Sequence, residues 1–347
     1  MKCGGFRISY RGDERLFDTA TPIVASVIFV AVLLVVPTTN SVYWLDVLNR
    51  IGIAIIGALG LNILIGFAGQ ISIGHAAFLA VGAYATAILE TTAGLPFFLA
   101  IPLGALFTSL FGLLFGIPSL RLKGLYLAIA TLAAHFITTY WIIHWESVTK
   151  GVIGLAVPPP RVFGLELDSD VRMFYLILAL VIPAILFTKN LFRTKIGRAF
   201  IAIRDQDVAA AVMGVSPFRY KLLAFVISSF YAGVAGGLMA HHSKILFPDA
   251  FTLLVAIDYL AMVIIGGMGS VLGSVLGAVF MTLLPEILKL TATSLTGVYP
   301  QAFGAISSAR DIVFGFAIIG FLMYEPQGLA RIWVRFKSYW TLWPYAY

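Results

Sequence analysis

GFAGQISIGHAAF, residues 66–78, sets a glutamine, a serine and a histidine between three glycines in a chain otherwise suited to the inside of a membrane. Apolar runs at 47–66 and 71–89 adjoin it, so the stretch reads as the junction where one span ends and the next begins. Gly66, Gly69 and Gly74 loosen the helix there and free backbone groups that lipid cannot satisfy. Gln70, Ser72 and His75 can hydrogen-bond those groups or a passing polar solute. Irregular backbone at membrane depth is tolerated only when buried in protein or lining a watery cavity. The segment is therefore expected to face the interior of a helix bundle, either as a helix cap with a satisfied histidine or as part of a translocation path.

The rest of the chain supports this frame. Hydrophobic residues make up 60% of the 347 and charged residues 11%, against roughly 25% charged in soluble domains. Apolar runs recur at 22–37, 47–66, 71–89, 95–118, 125–143, 173–187, 222–241, 253–267, 271–290 and 312–323. They predict an all-α polytopic membrane helix bundle with about ten transmembrane helices, some too short to cross about 30 Å without extension or a break. Residues 1–21 read as an N-terminal tail, 22–323 as the transmembrane domain and 324–347 as a C-terminal tail. The run at 22–37 follows Lys2, Arg7, Arg11 and Arg15 but has no small-x-small cleavage site, and reads as an uncleaved first span. Cys3 is the single cysteine, so no intrachain disulfide or cysteine metal cluster can form.

An even number of spans puts both termini on one side. Basic residues concentrate there: four in the N-terminal tail, Arg121 and Lys123, seven in 188–221 and three in the C-terminal tail, sixteen of twenty-three. That is the positive-inside pattern, with both termini cytoplasmic. It accounts for the net charge of +7 without nucleic acid. The outward segment 146–172 contains Pro158, Pro159 and Pro160 with Glu166, Asp168 and Asp170, and is expected to be ordered but non-helical. Glycines at four-residue spacing (112 and 116; 233 and 237; 269, 273 and 277) suit close helix packing in lipid.

Chemistry of an intrinsic enzyme is poorly supported. The histidines at 75, 135, 144, 241 and 242 show no metal-binding spacing, and neither a Gly-x-Ser-x-Gly elbow nor a Gly-x4-Gly-Lys-Ser/Thr loop occurs. Catalytic and metal residues are thus none, and any nucleotide must be bound by another chain. Asp258 is an acid inside the run 253–267; its insertion cost, about 2.5–3.5 kcal/mol, points to an interior, partnered position, with the external end of the span, near Asp249, as the equal alternative. The glycine-broken IGGMGSVLGSVLG at 265–277 parallels the junction at 66–78, as an internally duplicated transporter would show. The cytoplasmic GRAFIAIRDQDVAAAVMGVSPFRYKLLAF, 197–225, predicts a short amphipathic helix beneath the bilayer, stopped at Gly214 and restarted after Ser216 and Pro217.

With GFAGQISIGHAAFLAVGAY, GRAFIAIRDQDVAAAVMG, IIGGMGSVLGSVLGA and EPQGLARI in this order, the chain resembles the permease subunits of branched-chain amino acid ABC importers, LivM type, over about 61–332. The resemblance implies a type II ABC importer-like fold in the bacterial inner membrane, multi-pass. It implies as partners a LivH-like permease subunit, two cytoplasmic ATP-binding subunits that carry the ATP and Mg, a periplasmic substrate-binding protein and the lipid bilayer. Val208-Ala209-Ala210 followed by Gly214 resembles the EAA-x3-Gly loop that docks on the ATPase, with valine where that pattern has glutamate. Arg198, Arg204, Asp205, Ala209, Ala210 and Gly214 are expected to couple to the ATPase by alternating access, and Gln70, Ser72, His75 and Asp258 to line the path. Similar permeases serve urea or short amides. A secondary transporter carrying ions on Asp258 or Glu286 is the competing class, and a scaffold without transport a third.

Overall fold

The fold follows from where apolar runs meet glycine or proline. The computed structural model describes residues 41–119, 124–162, 165–166, 169–296 and 327–342, with scattered positions at 37 and between 315 and 325. The N-terminal tail, the run 22–37 apart from position 37, Arg121, Lys123, Arg310 and Trp343 lie outside the described residues. In chain order the long helices are α1 (Val42–Asn62), α2 (His75–Thr91), α3 (Phe97–Ser119), α4 (Leu125–His144), the one-turn α5 (Glu146–Thr149) and α6 (Asp170–Leu191). There follow α7 (Lys195–Asp205), α8 (Asp207–Val212), α9 (Pro217–Ser243), α10 (Leu253–Gly266), α11 (Val271–Thr296) and α12 (Gly328–Leu342).

Eight of the ten expected spans coincide with these helices; the first is outside the described residues and the tenth is only partly within them. Among the described residues seven helical stretches are long and apolar enough to cross a membrane. The chain is thus an all-α, multi-pass membrane protein. At 17 residues α2 is shorter, yet almost every position from His75 to Ala87 is buried. It is an inner helix of the bundle, packed on α9 and α3, while α1 packs on α9, α6 and α11. Of the apolar window of α1 89% is buried, against 28% for α6, which places α6 at the lipid boundary.

Small residues set the closest approaches. A Cβ on Gly82 would lie 2.4 Å from the Cα of Gly233, and one on Gly277 would lie 1.9 Å from the carbonyl oxygen of Met262. These contacts join α2 to α9 and α10 to α11 where backbone meets backbone, the packing mode that works in lipid, where apolar area alone does not distinguish helix from acyl chain.

At the end of the bundle where α1 begins, polar groups tie the helices. Glu286 of α11 is 3% exposed and accepts hydrogen bonds from Tyr43 and Lys289, with Arg50 of α1 at 3.4 Å. Asp46 pairs with Arg50 and, at 3.0 Å, with His242 of α9. Glu90 of α2 meets His241 of α9 at 2.9 Å. The described part of the 146–172 segment is not free of helix: it contains α5, a 3-10 turn at Gly151–Ile153 and the strands β1 (Leu155–Ala156), β2 (Arg161–Val162) and β3 (Leu165–Glu166). β1 pairs antiparallel with β4 (Ile245–Leu246), Leu155 opposite Leu246, and β2 with β3. The departure has a local cause. The triple proline stops helix only from 158 onward, so the residues before it are available to cap α4 and to pair with the chain leaving α9.

Candidate functional site

α1 does not end cleanly. Its last turn widens into a π-helix, Ile63–Phe67, and the chain then runs irregularly to His75. Gly66 cannot carry a side chain, since a Cβ would lie 1.9 Å from Oδ1 of Asn62 and 2.3 Å from the backbone nitrogen of Gly269. Gly69 has φ +67°, which an L side chain resists, and a Cβ there would meet Arg204 at 3.0 Å. Gly66 thus allows backbone from the second junction, 267–270, to close on the first, while Gly69 admits Arg204 and Gly74 admits the backbone of Thr131 on α4.

Asn62 holds that contact. It is 1% exposed and donates from Nδ2 to the carbonyl of Ser270 at 2.8 Å and to Oγ of Ser274 at 2.7 Å. Its Oδ1 accepts the backbone N–H of Gly269 at 2.9 Å. One buried amide thus satisfies groups that a broken helix would otherwise strand in an apolar medium, each worth roughly 1–3 kcal/mol. Sequence reading missed Asn62 because it sits inside a run counted as apolar; a polar residue four positions before Gly66 was the available signal.

Arg204 extends the contact to the segment between α6 and α9. At the end of α7, it donates from Nη1 to the freed carbonyl of Gly66 at 2.9 Å and from Nε to Asp205 at 2.9 Å. A Cβ on Gly269 would fall 2.9 Å from the same Nη1. A single guanidinium fork therefore touches both broken junctions and the segment between α6 and α9.

That segment forms two helices where one was expected. α7 buries Gly197, Phe200 and Ile203 and exposes Lys195, Arg198 and Arg204, and Gln206, extended at φ −156°, separates it from α8. In α8 Ala210 is buried, whereas Ala209 and Gly214 are exposed. Val208, Val212 and Met213 are 66%, 83% and 83% exposed, an apolar knob on the solvent side of a basic segment. Asp207, beside the valine that replaces glutamate, lies 3.4 Å from Nζ of Lys221 and so ties α8 to the start of α9. Gly214, at φ +87° with nothing within 4 Å of a Cβ, ends the knob.

The four expected path residues separate into two levels. Gln70 belongs with the start of α9: its Nε2 donates to the carbonyl of Lys221 at 3.0 Å. It lines a polar pocket of about 240 Å³ with Gly69, Arg204, Asp205, Asp207 and Lys221. Ser72 is 2% exposed, and neither its Oγ nor Oε1 of Gln70 has a partner among the described residues. Deeper, His75 opens α2 and donates from Nε2 to the carbonyl of Gly57 at 3.0 Å, its ring edge-on to Tyr259 at 5.3 Å. Asp258, beside Tyr259, is half-buried in the second turn of α10. Gln70 and Arg204 are thus brought to one site, while His75 and Asp258 stand apart from it. Among the described residues no group of three or more His, Cys, Asp or Glu could hold a metal.

A family model described as branched-chain amino acid transport system / permease component matches residues 43–322. The chain is 34% identical over 308 residues to the high-affinity branched-chain amino acid transport system permease protein LivM of Salmonella typhimurium, covering 82% of this chain and 69% of the relative. The LivM protein of Escherichia coli shows the same identity and coverage. A probable branched-chain amino acid transport permease protein LivH of Methanocaldococcus jannaschii is 27% identical over 74% of this chain and 82% of its own length. The matched span contains both glycine junctions, Asn62, Arg204 and the knob of α8, and on this ground the chain belongs to the family of branched-chain amino acid transport system permease components.

Proposed function

We propose that this chain is a LivM-type subunit of an ATP-binding cassette importer that passes leucine, isoleucine and valine across a bacterial inner membrane. It would pair with a LivH-like permease, two cytoplasmic ATPase subunits and a periplasmic binding protein, with both termini cytoplasmic. ATP and Mg belong to the ATPase subunits in this reading, and the permease itself catalyses nothing.

The observation that carries it is the position of Arg204. The exposed knob of Val208, Val212 and Met213 offers an apolar anchor to a groove on a motor subunit. Displacement of that knob reaches Arg204 through the short α7–α8 segment. From there it reaches the carbonyl of Gly66 and the backbone at Gly269, where two helices are already broken. Broken helices joined by hydrogen bonds between backbone groups can rearrange without exposing unsatisfied groups to lipid, which a continuous helix cannot do. Alternating access then amounts to switching this node between two arrangements. Zwitterionic solute needs polar lining or water on its way, and Ser72 and Gln70 supply buried oxygens without partners among the described residues.

The test is uptake in proteoliposomes containing the four partner subunits, with leucine, isoleucine, valine, urea and a short amide as solutes. Uptake of the three amino acids that requires ATP inside and survives collapse of the proton and sodium gradients supports the reading. Uptake by this chain alone that follows an ion gradient, or transport confined to urea or amides, overturns it.

A further inference from the structure

The helix that follows the last expected span, α12, has no role in the coupling reading. Its first turn is clamped at the membrane boundary: Ala330 is 8% exposed, and a Cβ on Gly328 would lie 2.5 Å from the backbone nitrogen of Gly267, where α10 ends. Beyond that turn every residue from Arg331 to Tyr339 is exposed. The exposure is not polar. Ile332, Trp333, Phe336 and Tyr339 are 44%, 53%, 57% and 61% exposed, and the i, i+4, i+7 spacing of Ile332, Phe336 and Tyr339 puts them in one stripe beside Trp333.

Charge is arranged around the stripe. The helix, GLARIWVRFKSYWTL, contains three basic residues and no acid. At about 100° per residue, Arg335 falls on one edge of the stripe and Lys337 on the other, with Ser338 and the single apolar residue Val334, 61% exposed, on the opposite face. Glu325, just before the helix, lies 3.2 Å from Arg335 and 3.7 Å from Arg331, which fixes the elbow and leaves an excess of positive charge. Both guanidinium groups have more donors than Glu325 can accept.

We propose that α12 is an interfacial helix that lies in the cytoplasmic leaflet, its aromatic stripe at acyl-chain level and its flanking arginine and lysine on the phosphates of anionic headgroups. Apolar area and basic edges together are what such binding requires. A protein groove would satisfy the stripe but would not call for basic residues on both edges of it.

The experiment uses the full chain carrying Cys3→Ser, in nanodiscs of phosphatidylcholine with or without phosphatidylglycerol. A nitroxide is attached at Phe336→Cys or Ser338→Cys. The ratio of oxygen to nickel-chelate collisions is expected to be several-fold higher at 336 than at 338. That contrast should grow with phosphatidylglycerol and shrink again in Arg335→Gln/Lys337→Gln. Equal, water-like ratios at both positions would overturn the proposal, as would a contrast indifferent to lipid charge. Shielding of 336 from both quenchers that appears only when ATPase subunits are added would assign the face to protein instead.

Discussion

At Asn62 one side chain does what a continuous helix would do with several backbone hydrogen bonds. Asn62→Ala strands the Gly269 N–H and removes the bridge to Ser270 and Ser274. We expect a loss of about 2–3 kcal/mol, read as a lower midpoint of thermal unfolding in detergent. Gly66→Ala drives a methyl into the same amide and should destabilise by a similar amount. The pair Asn62→Ala/Gly66→Ala should cost less than the sum, because one clash partner has gone; strict additivity would mean the two residues do not touch. Arg204→Lys is the informative change at the next position. Arginine reaches Gly66 and Asp205 from two different nitrogens, and a single ammonium cannot reproduce the fork. Uptake per ATP hydrolysed should fall about tenfold, equivalent to about 1.4 kcal/mol of coupling, while membrane insertion is unchanged. The glycines and Arg204 were legible in the sequence because punctuation and charge stand out in an apolar chain. Asn62 was not, since its partners are 207 and more positions away.

Among elements, α8 is the one whose surface contradicts its surroundings. Val212→Asp or Met213→Asp adds charge where the knob is most exposed, so the fold should tolerate it, yet stimulation of the partner ATPase should drop by tenfold or more. Unchanged stimulation would remove α8 from the coupling interface. Asp207→Asn, which weakens the tie to Lys221, should have a milder effect of about twofold, because the pair is partly exposed and such pairs contribute under about 1 kcal/mol. Element positions were largely readable from hydropathy. The finer divisions were not: the π-turn at Ile63–Phe67 and the break at Gln206 depend on what the freed backbone meets in space. Likewise, no local signal distinguishes β1 from loop, since its partner β4 is ninety positions further along.

Across the whole molecule, the two ends of the bundle are held by different means. Backbone contacts, the Asn62 and Gln70 amides, the Arg204 guanidinium and the Asp207–Lys221 pair join the end that carries α7 and α8, whereas carboxylates, Arg50, Lys289 and two histidines join the opposite end. Glu286→Gln removes the charge that faces Arg50 and Lys289 in a nearly buried position, and should lower stability by about 1–3 kcal/mol, measured as a shift in unfolding midpoint. The small antiparallel pairing of Leu155–Ala156 with Ile245–Leu246 sits at the far end of α9 from the α8 knob. In the proposed transport cycle this pairing would serve α9 as a fulcrum: a rod of 27 residues is about 40 Å long, so a tilt of about 5° there would sweep the opposite tip through about 3.5 Å. On that reading a modest rotation beside the strand pair and a shift of atomic size beside α8 are one movement.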